Sequence, residues 1–153
     1  MSAQKVRGLY FNQFEIGMQI TTQGRTITES DIVGFAGLSG DYNQIHTDKT
    51  YASKADFGKR VAHGLLVTSI VSGLAVQTGF MEGTVMAFRE ISQWKYSSPI
   101  FIGDTIHAKI CVANKKDMKR INAGSVDLEI TVYNQEHKIV QSGNWIILIK
   151  NQN

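Results

Sequence analysis

Val61-Ala62-His63-Gly64-Leu65-Leu66-Val67-Thr68-Ser69-Ile70-Val71-Ser72-Gly73-Leu74-Ala75-Val76 is the stretch whose reading decides the fold. Followed on to Phe80 it is apolar nearly all round, which predicts a helix enclosed on most sides. Its small positions, Gly64, Ser69, Ser72, Gly73 and Ala75, allow close approach by a neighbouring element or a ligand. His63, Thr68, Ser69, Ser72 and Gln77 interrupt the run, so a buried core helix is expected rather than a membrane span. Downstream the period changes to two. Ile106, Ala108, Ile110 and Val112 alternate with polar partners, and Val126, Leu128, Ile130 and Val132 do the same against Asp127, Glu129 and Thr131. Thr84 to Tyr96 and Ile139 to Lys150 read as two further strands. Turn chemistry separates these runs at Gly103-Asp104, in a charged hairpin around Lys115 to Arg120, and at Asn134 to Lys138. One buried helix followed by four antiparallel strands predicts an α+β fold with the sheet wrapped on the helix.

Upstream of the helix, Met18-Gln19-Ile20 reads as a short first strand. Helix-start chemistry follows, with Thr26 and Glu29, or Thr28 and Asp31, able to satisfy the free N–H groups of a first turn. Ile32, Phe35 and Ala36 then recur at helical spacing, and Gly40 supplies a stop. Asp41-Tyr42-Asn43-Gln44-Ile45-His46-Thr47-Asp48 therefore begins where a helix ends, in a segment with the geometry of a loop. On an ideal helix Asp41 and His46 would project roughly 140° apart. They converge only if the chain turns irregularly, as Gly40, Asp41 and Asn43 favour. A carboxylate, an amide and an imidazole so close to an apolar helix are suited to moving protons on a substrate with an apolar tail.

At 153 residues a single domain spanning 1–153 is expected, long enough for a self-sufficient core. The hydrophobic share of 42% and charged share of 19% exclude a disordered or fibrous chain. A net charge of +3 is compatible with a phosphate-bearing ligand but too weak to imply nucleic acid. Cys111 is the only cysteine, so no intramolecular disulfide forms, and a reducing, cytoplasmic setting is the expectation. It sits in an alternating run and reads as a strand residue. Met1 to Gly8 carries basic residues without the apolar segment of a secretory signal. His107 and His137 lack ligand-like spacing, and Trp94 and Trp145 read as fillers of strand faces.

Asp41-x-Asn43-x-x-His46-x-Asp48, then Phe57, then Val61-Ala62-His63-Gly64-Leu65-Leu66 and Ser72-Gly73 resemble the MaoC-like, (R)-specific enoyl-CoA hydratases. The resemblance extends to Tyr10-Phe11-x-x-Phe14-x-x-Gly17 and to Ser98-Pro99-x-x-x-Gly103-Asp104, covering most of the chain in order. It implies the hot-dog fold, a homodimer or larger homo-oligomer with sites near the interface, and a role in fatty acid metabolism. One departure stands out: Gln44 occupies the place of the family's usual proline, which would stiffen the turn.

By this resemblance the reaction adds water across a trans-2-enoyl-CoA, or an acyl carrier protein thioester, to give the (R)-3-hydroxyacyl product. Asp41 and His46 would hold and activate the water and exchange its proton. Asn43 would order the loop or the water. The thioester oxygen needs fixed N–H donors, which the helix start around His63, Gly64 and Leu65 can present. Gly64 would let the thioester approach the backbone, and Ser72 matches a family serine near the site. No metal or redox cofactor is required. Other readings of the same residues stay open. Asp48 reads as a local cap, His63 as a structural histidine donating to a carbonyl, Ser72 as a packing residue, and Lys115 to Arg120 as a solvated turn or a grip on the CoA phosphates. A hot-dog acyl-CoA thioesterase and a non-catalytic acyl-CoA-binding module are the competing functions.

Overall fold

The structure, a computed structural model, describes residues 7–152. Six of the eight N-terminal residues that lack the apolar segment of a secretory signal lie outside that range. The elements run β1 (Gln19–Thr21), β2 (Arg25–Thr26), α1 (Glu29–Ser39), α2 (Gln44–Thr47), α3 (Lys49–Ala52), α4 (Gly64–Gln77), β3 (Val85–Tyr96), β4 (Thr105–Met118), β5 (Ala123–Tyr133) and β6 (Ile139–Lys150). The antiparallel sheet has the order β1-β4-β5-β6-β3, with β2 also beside β4. Its inner face packs on α4. The α+β, hot-dog arrangement expected from the sequence is the one found.

Alternation explains the core. Ile106, Ala108, Ile110 and Val112 of β4, Val126, Leu128, Ile130 and Val132 of β5, and Trp145, Ile147 and Ile149 of β6 are all buried. They meet Leu66, Val67, Ile70, Val71, Leu74 and Ala75 of α4 in one cluster. Burying each large aliphatic side chain contributes about 1.5–3 kcal/mol, so this interface dominates the fold.

Several local readings need correction. The helix expected over Val61 to Phe80 starts only at Gly64, because the residues before it are taken by other partners. Val61 bridges Phe101 and donates to Ile45, and Ala62 donates to Ile100. It also ends early, before Gly79 at φ 86°. Nor is it covered all round within one chain: Leu65, Ser69, Ser72, Gly73 and Val76 form an exposed stripe. At α1 the capping pair is Thr28 with Asp31, whose side chains bond each other's backbone N–H, while Thr26 belongs to the unforeseen β2. The charged residues after Asn114 continue β4 up to Met118, and the turn proper is Lys119–Ile121. Lys115 is no solvated turn residue. Its Nζ donates to the carbonyls of Phe11 (3.3 Å) and Phe14 (2.6 Å) and lies 4.7 Å from the Phe11 ring centroid. That ring covers Gly124, where a Cβ would sit 2.0 Å from it.

Strand β3 is different from its neighbours. Val85, Met86, Phe88, Ile91 and Tyr96 are 40–53% exposed although apolar or aromatic. One edge of β3 pairs with β6, and no strand pairs its other edge among the described residues. The β3–β6 register slips between Ser92 and Lys95, where Gln93 takes φ 51°. Such a bulge kinks a strand and re-aims the side chains beside it.

Candidate active site

Short-range bonds build the loop after α1. Gly40, at φ 77°, ends the helix in a left-handed conformation that glycine tolerates without strain. Asp41 donates its N–H to Ser39 Oγ (3.1 Å), and its Oδ1 accepts from Asn43 N (3.2 Å). Asn43 Oδ1 in turn accepts from Ile45 N (3.2 Å), capping α2. Asp48 Oδ1 accepts from Tyr51 N (2.8 Å) and caps α3. The segment is thus not all loop: His46 rides on a single helical turn whose start Asn43 fixes. Both Asn43 and Asp48 serve the backbone.

His46 is buried while Asp41 is exposed. The Nδ1 of His46 lies 2.7 Å from the carbonyl of Val61. A carbonyl only accepts, so Nδ1 carries the proton, and in the neutral ring Nε2 is left as the acceptor. Burial holds His46 below the ordinary histidine value. The Val61 bond opposes that shift, His63 adds to it, and Asp41 opposes it weakly. Arg60 steadies the turn from outside, donating Nε to the His46 carbonyl (2.7 Å) and pairing with Glu29.

His63 lies beneath His46, the two rings stacked at 3.8 Å and 26°. Its Nε2–H donates to the backbone carbonyl of Asp41 (2.9 Å), and Phe35 packs on it at 4.9 Å. His63 therefore ties the loop carrying Asp41 to the start of α4. Donor atoms of Asp41, His46 and His63 lie within 4.8 Å of one another. The bend thus brings residues 41 and 46 together at one end of α4. One nitrogen of each ring is bonded to a carbonyl, which leaves His46 Nε2 and His63 Nδ1 as the free ring nitrogens.

On the side of Gly64 lies a cleft of about 660 Å³, within the range of small-molecule sites. Phe57, Val61, Ala62, Leu65, Val67, Pro99 and Ile100 give it an apolar wall, and Gly64, Tyr96, Ser97, Ser98 and Gln141 also line it. Residue 63 precedes the helix without a side-chain cap, so the first N–H groups of α4 keep their donor capacity beside the cleft. Leu65 is exposed at its mouth. Gly64 has a reason unseen in the sequence: a Cβ there would lie 2.7 Å from Tyr96 Cε1. Ser72 is not part of this arrangement within one chain. It is exposed, its Oγ donates to the Ser69 carbonyl (2.6 Å), and it does not line the cleft.

Gln141 and Tyr96 are the residues that motif reading missed. A signal for Gln141 was present: it shares the inward register of β6 with Trp145, Ile147 and Ile149, an amide in a row of apolar side chains.

The family model described as "MaoC like domain" matches residues 11–134. The chain is 38% identical over 106 residues to "Protein MaoC" of Klebsiella aerogenes, covering 69% of this chain but only 31% of that protein. It therefore spans about a third of that relative's length. It is 35% identical over 112 residues to an "(R)-specific enoyl-CoA hydratase" of Rhodospirillum rubrum, covering 73% of this chain and 75% of that one. Among solved structures, a "Monoamine oxidase regulatory protein" from Archaeoglobus fulgius superposes with a TM-score of 0.90 at 35% identity, covering 99% of this chain and 100% of that one.

Proposed function

Because this chain belongs to the MaoC-like domain family, we propose that it is a hydro-lyase interconverting a trans-2-enoyl-CoA and the (R)-3-hydroxyacyl-CoA. The observation that carries the reading is the meeting of Asp41 and His46 at the start of α4, whose Gly64 and Leu65 line an apolar cleft and whose first N–H groups are uncapped. In the hydration direction, water adds through its oxygen to Cβ, and its proton passes to the Asp41–His46 pair. The alkene electron pair shifts toward the thioester carbonyl, and Cα then takes a proton, so that one water is added overall. His46 Nε2 is the acceptor left by the Val61 bond, and the lowered basicity of the ring keeps it neutral near pH 7. The first N–H groups of α4, at Gly64 and Leu65, face the developing oxyanion. A donor of that kind typically supplies about 3 kcal/mol of barrier reduction. This scheme needs no metal or redox cofactor.

The acting unit is proposed to be a homodimer paired through the free edge of β3. A long apolar edge strand exposed to water is a liability that a second copy removes. The proposed setting is the cytoplasm, where the enzyme would meet a dissolved thioester. Among the described residues no helix is long and apolar enough to cross a membrane.

The test is purified protein with trans-2-butenoyl-CoA, following loss of enoyl absorbance and the chirality of the product. Asp41→Asn and His46→Gln are expected to abolish most of the rate. Full rate in both variants overturns the roles of Asp41 and His46, and release of free thiol instead of hydration points to a thioesterase.

A further inference from the structure

Gln141 is an amide buried to 3% exposure in the wall of the cleft, on the strand face that also carries Trp145, Ile147 and Ile149. Its orientation is fixed by its neighbours. Trp94 Nε1, a donor only, lies 3.2 Å from Oε1, and Thr68 Oγ1 donates to the same oxygen at 2.9 Å. The Gly64 carbonyl, an acceptor only, takes a bond from Nε2 at 3.0 Å. A flipped amide would face donor to donor and acceptor to acceptor, so only one orientation is allowed. Oε1 is bonded by Trp94 and shares the single Thr68 proton with the Gly64 carbonyl, 3.1 Å from Thr68 Oγ1, while Nε2 uses one of its two N–H groups.

The surrounding chain is shaped to make this arrangement. Trp94 reaches Oε1 from the bulge at Gln93, a residue held at φ 51°. It lies so close over β6 that a Cβ at position 143 would sit 2.6 Å from Trp94 Cε3, and position 143 is glycine. Such a left-handed, non-glycine bulge costs free energy and persists only where its surroundings fix it.

We infer that Gln141 is a specificity-determining residue of the cleft, its remaining N–H selecting acyl groups that carry a hydrogen-bond acceptor, such as a hydroxyl, over plain alkyl groups of the same size. The inference rests on the cleft being the site of an acyl thioester. An alkyl chain against Gln141 buries an N–H with no partner, whereas a hydroxyl oxygen satisfies it. The expected discrimination is about tenfold in affinity.

Binding of saturated acyl-CoAs tests this without turnover. Calorimetry would compare 4-hydroxybutyryl-CoA with its isostere pentanoyl-CoA, and 5-hydroxypentanoyl-CoA with hexanoyl-CoA. The wild-type protein is expected to favour the hydroxylated member of at least one pair by about tenfold, and Gln141→Met to bring that ratio near one. Equal affinity within both pairs for the wild type overturns the inference, as does an unchanged ratio in Gln141→Met. The wild-type comparison stands even if that variant does not fold. Binding of no acyl-CoA at all would instead overturn the reading of the cleft itself, so the two failures are distinct.

Discussion

The segment Gly40–Asp48 and the cleft beside Gly64 hold their polar groups by opposite means. Asp41, Asn43 and Asp48 bond backbone N–H groups two or three residues away. Gln141, by contrast, reaches the Gly64 carbonyl across 77 positions of sequence. The first region is a main-chain fold set by near neighbours and tied to the start of α4 by His46 and His63. The second exists only once β3, β6 and α4 have packed together. Substitutions in the loop should therefore act on rate, or on one cap at a time, while substitutions around the cleft should act on packing and ligand choice.

The largest expected break of that contrast is in the loop. Asp41→Asn should lower kcat by about 10²–10⁴-fold with little change in the denaturation midpoint, and His46→Gln should lower it as far while also losing the ring stack and the Val61 bond, read from steady-state rates beside urea unfolding. Loss of stability equal to the loss of rate would show that the loop is structural after all. Next comes the free edge of β3, a strand that reaches the cleft at Tyr96. Ile91→Lys places a charge on the exposed face of β3 and should convert a dimer to monomers in sedimentation, with activity falling alongside. A dimer unaffected by it would move the interface elsewhere.

Smaller effects sharpen the comparison. Gly64→Ala puts a methyl into the Tyr96 ring and should cost about 1–3 kcal/mol of stability, most of it recovered in Gly64→Ala with Tyr96→Leu. Asn43→Ala removes one cap and should cost about 1 kcal/mol, detectable as a lower midpoint with Asp41 chemistry otherwise intact. The mildest is a pH effect. His46 in the folded chain binds its proton less readily than the unfolded chain, whose value is near 6.5. The unfolded state therefore takes up more protons as pH drops below 6.5. Stability from this residue is complete above 6.5 and is lost as pH falls toward the folded value. His46→Gln should flatten that slope in urea titrations from pH 7.5 to 5.

What the sequence disclosed follows the same division. The period-two runs of β4, β5 and β6 located the sheet, because each strand buries one face on α4. The Asp41–His46 meeting was legible because turn-forming residues lie beside them in sequence. Hidden features were those settled by distant partners. Val61 and Ala62 look helical by composition but bond Ile45 and Ile100 instead. Thr26 looks like a cap but pairs with β4. Gly64 reads as room for a ligand, and only the ring of Tyr96, thirty-two residues later, shows that it is also room for the chain itself. The exposure of β3 was hidden because Val85, Met86, Phe88 and Ile91 look like core positions although each is 40–47% exposed.

Lys115 and Gly124 together decide when the first part of the chain settles. Phe11 needs the flat ground of Gly124 and the ammonium of Lys115, both on the β4–β5 hairpin. On a translating ribosome the residues around Phe11 are made before that hairpin exists, so they emerge first and are fastened late. Until then Phe11 has no berth, and the nascent chain carries its unsheltered ring through more than a hundred residues of synthesis.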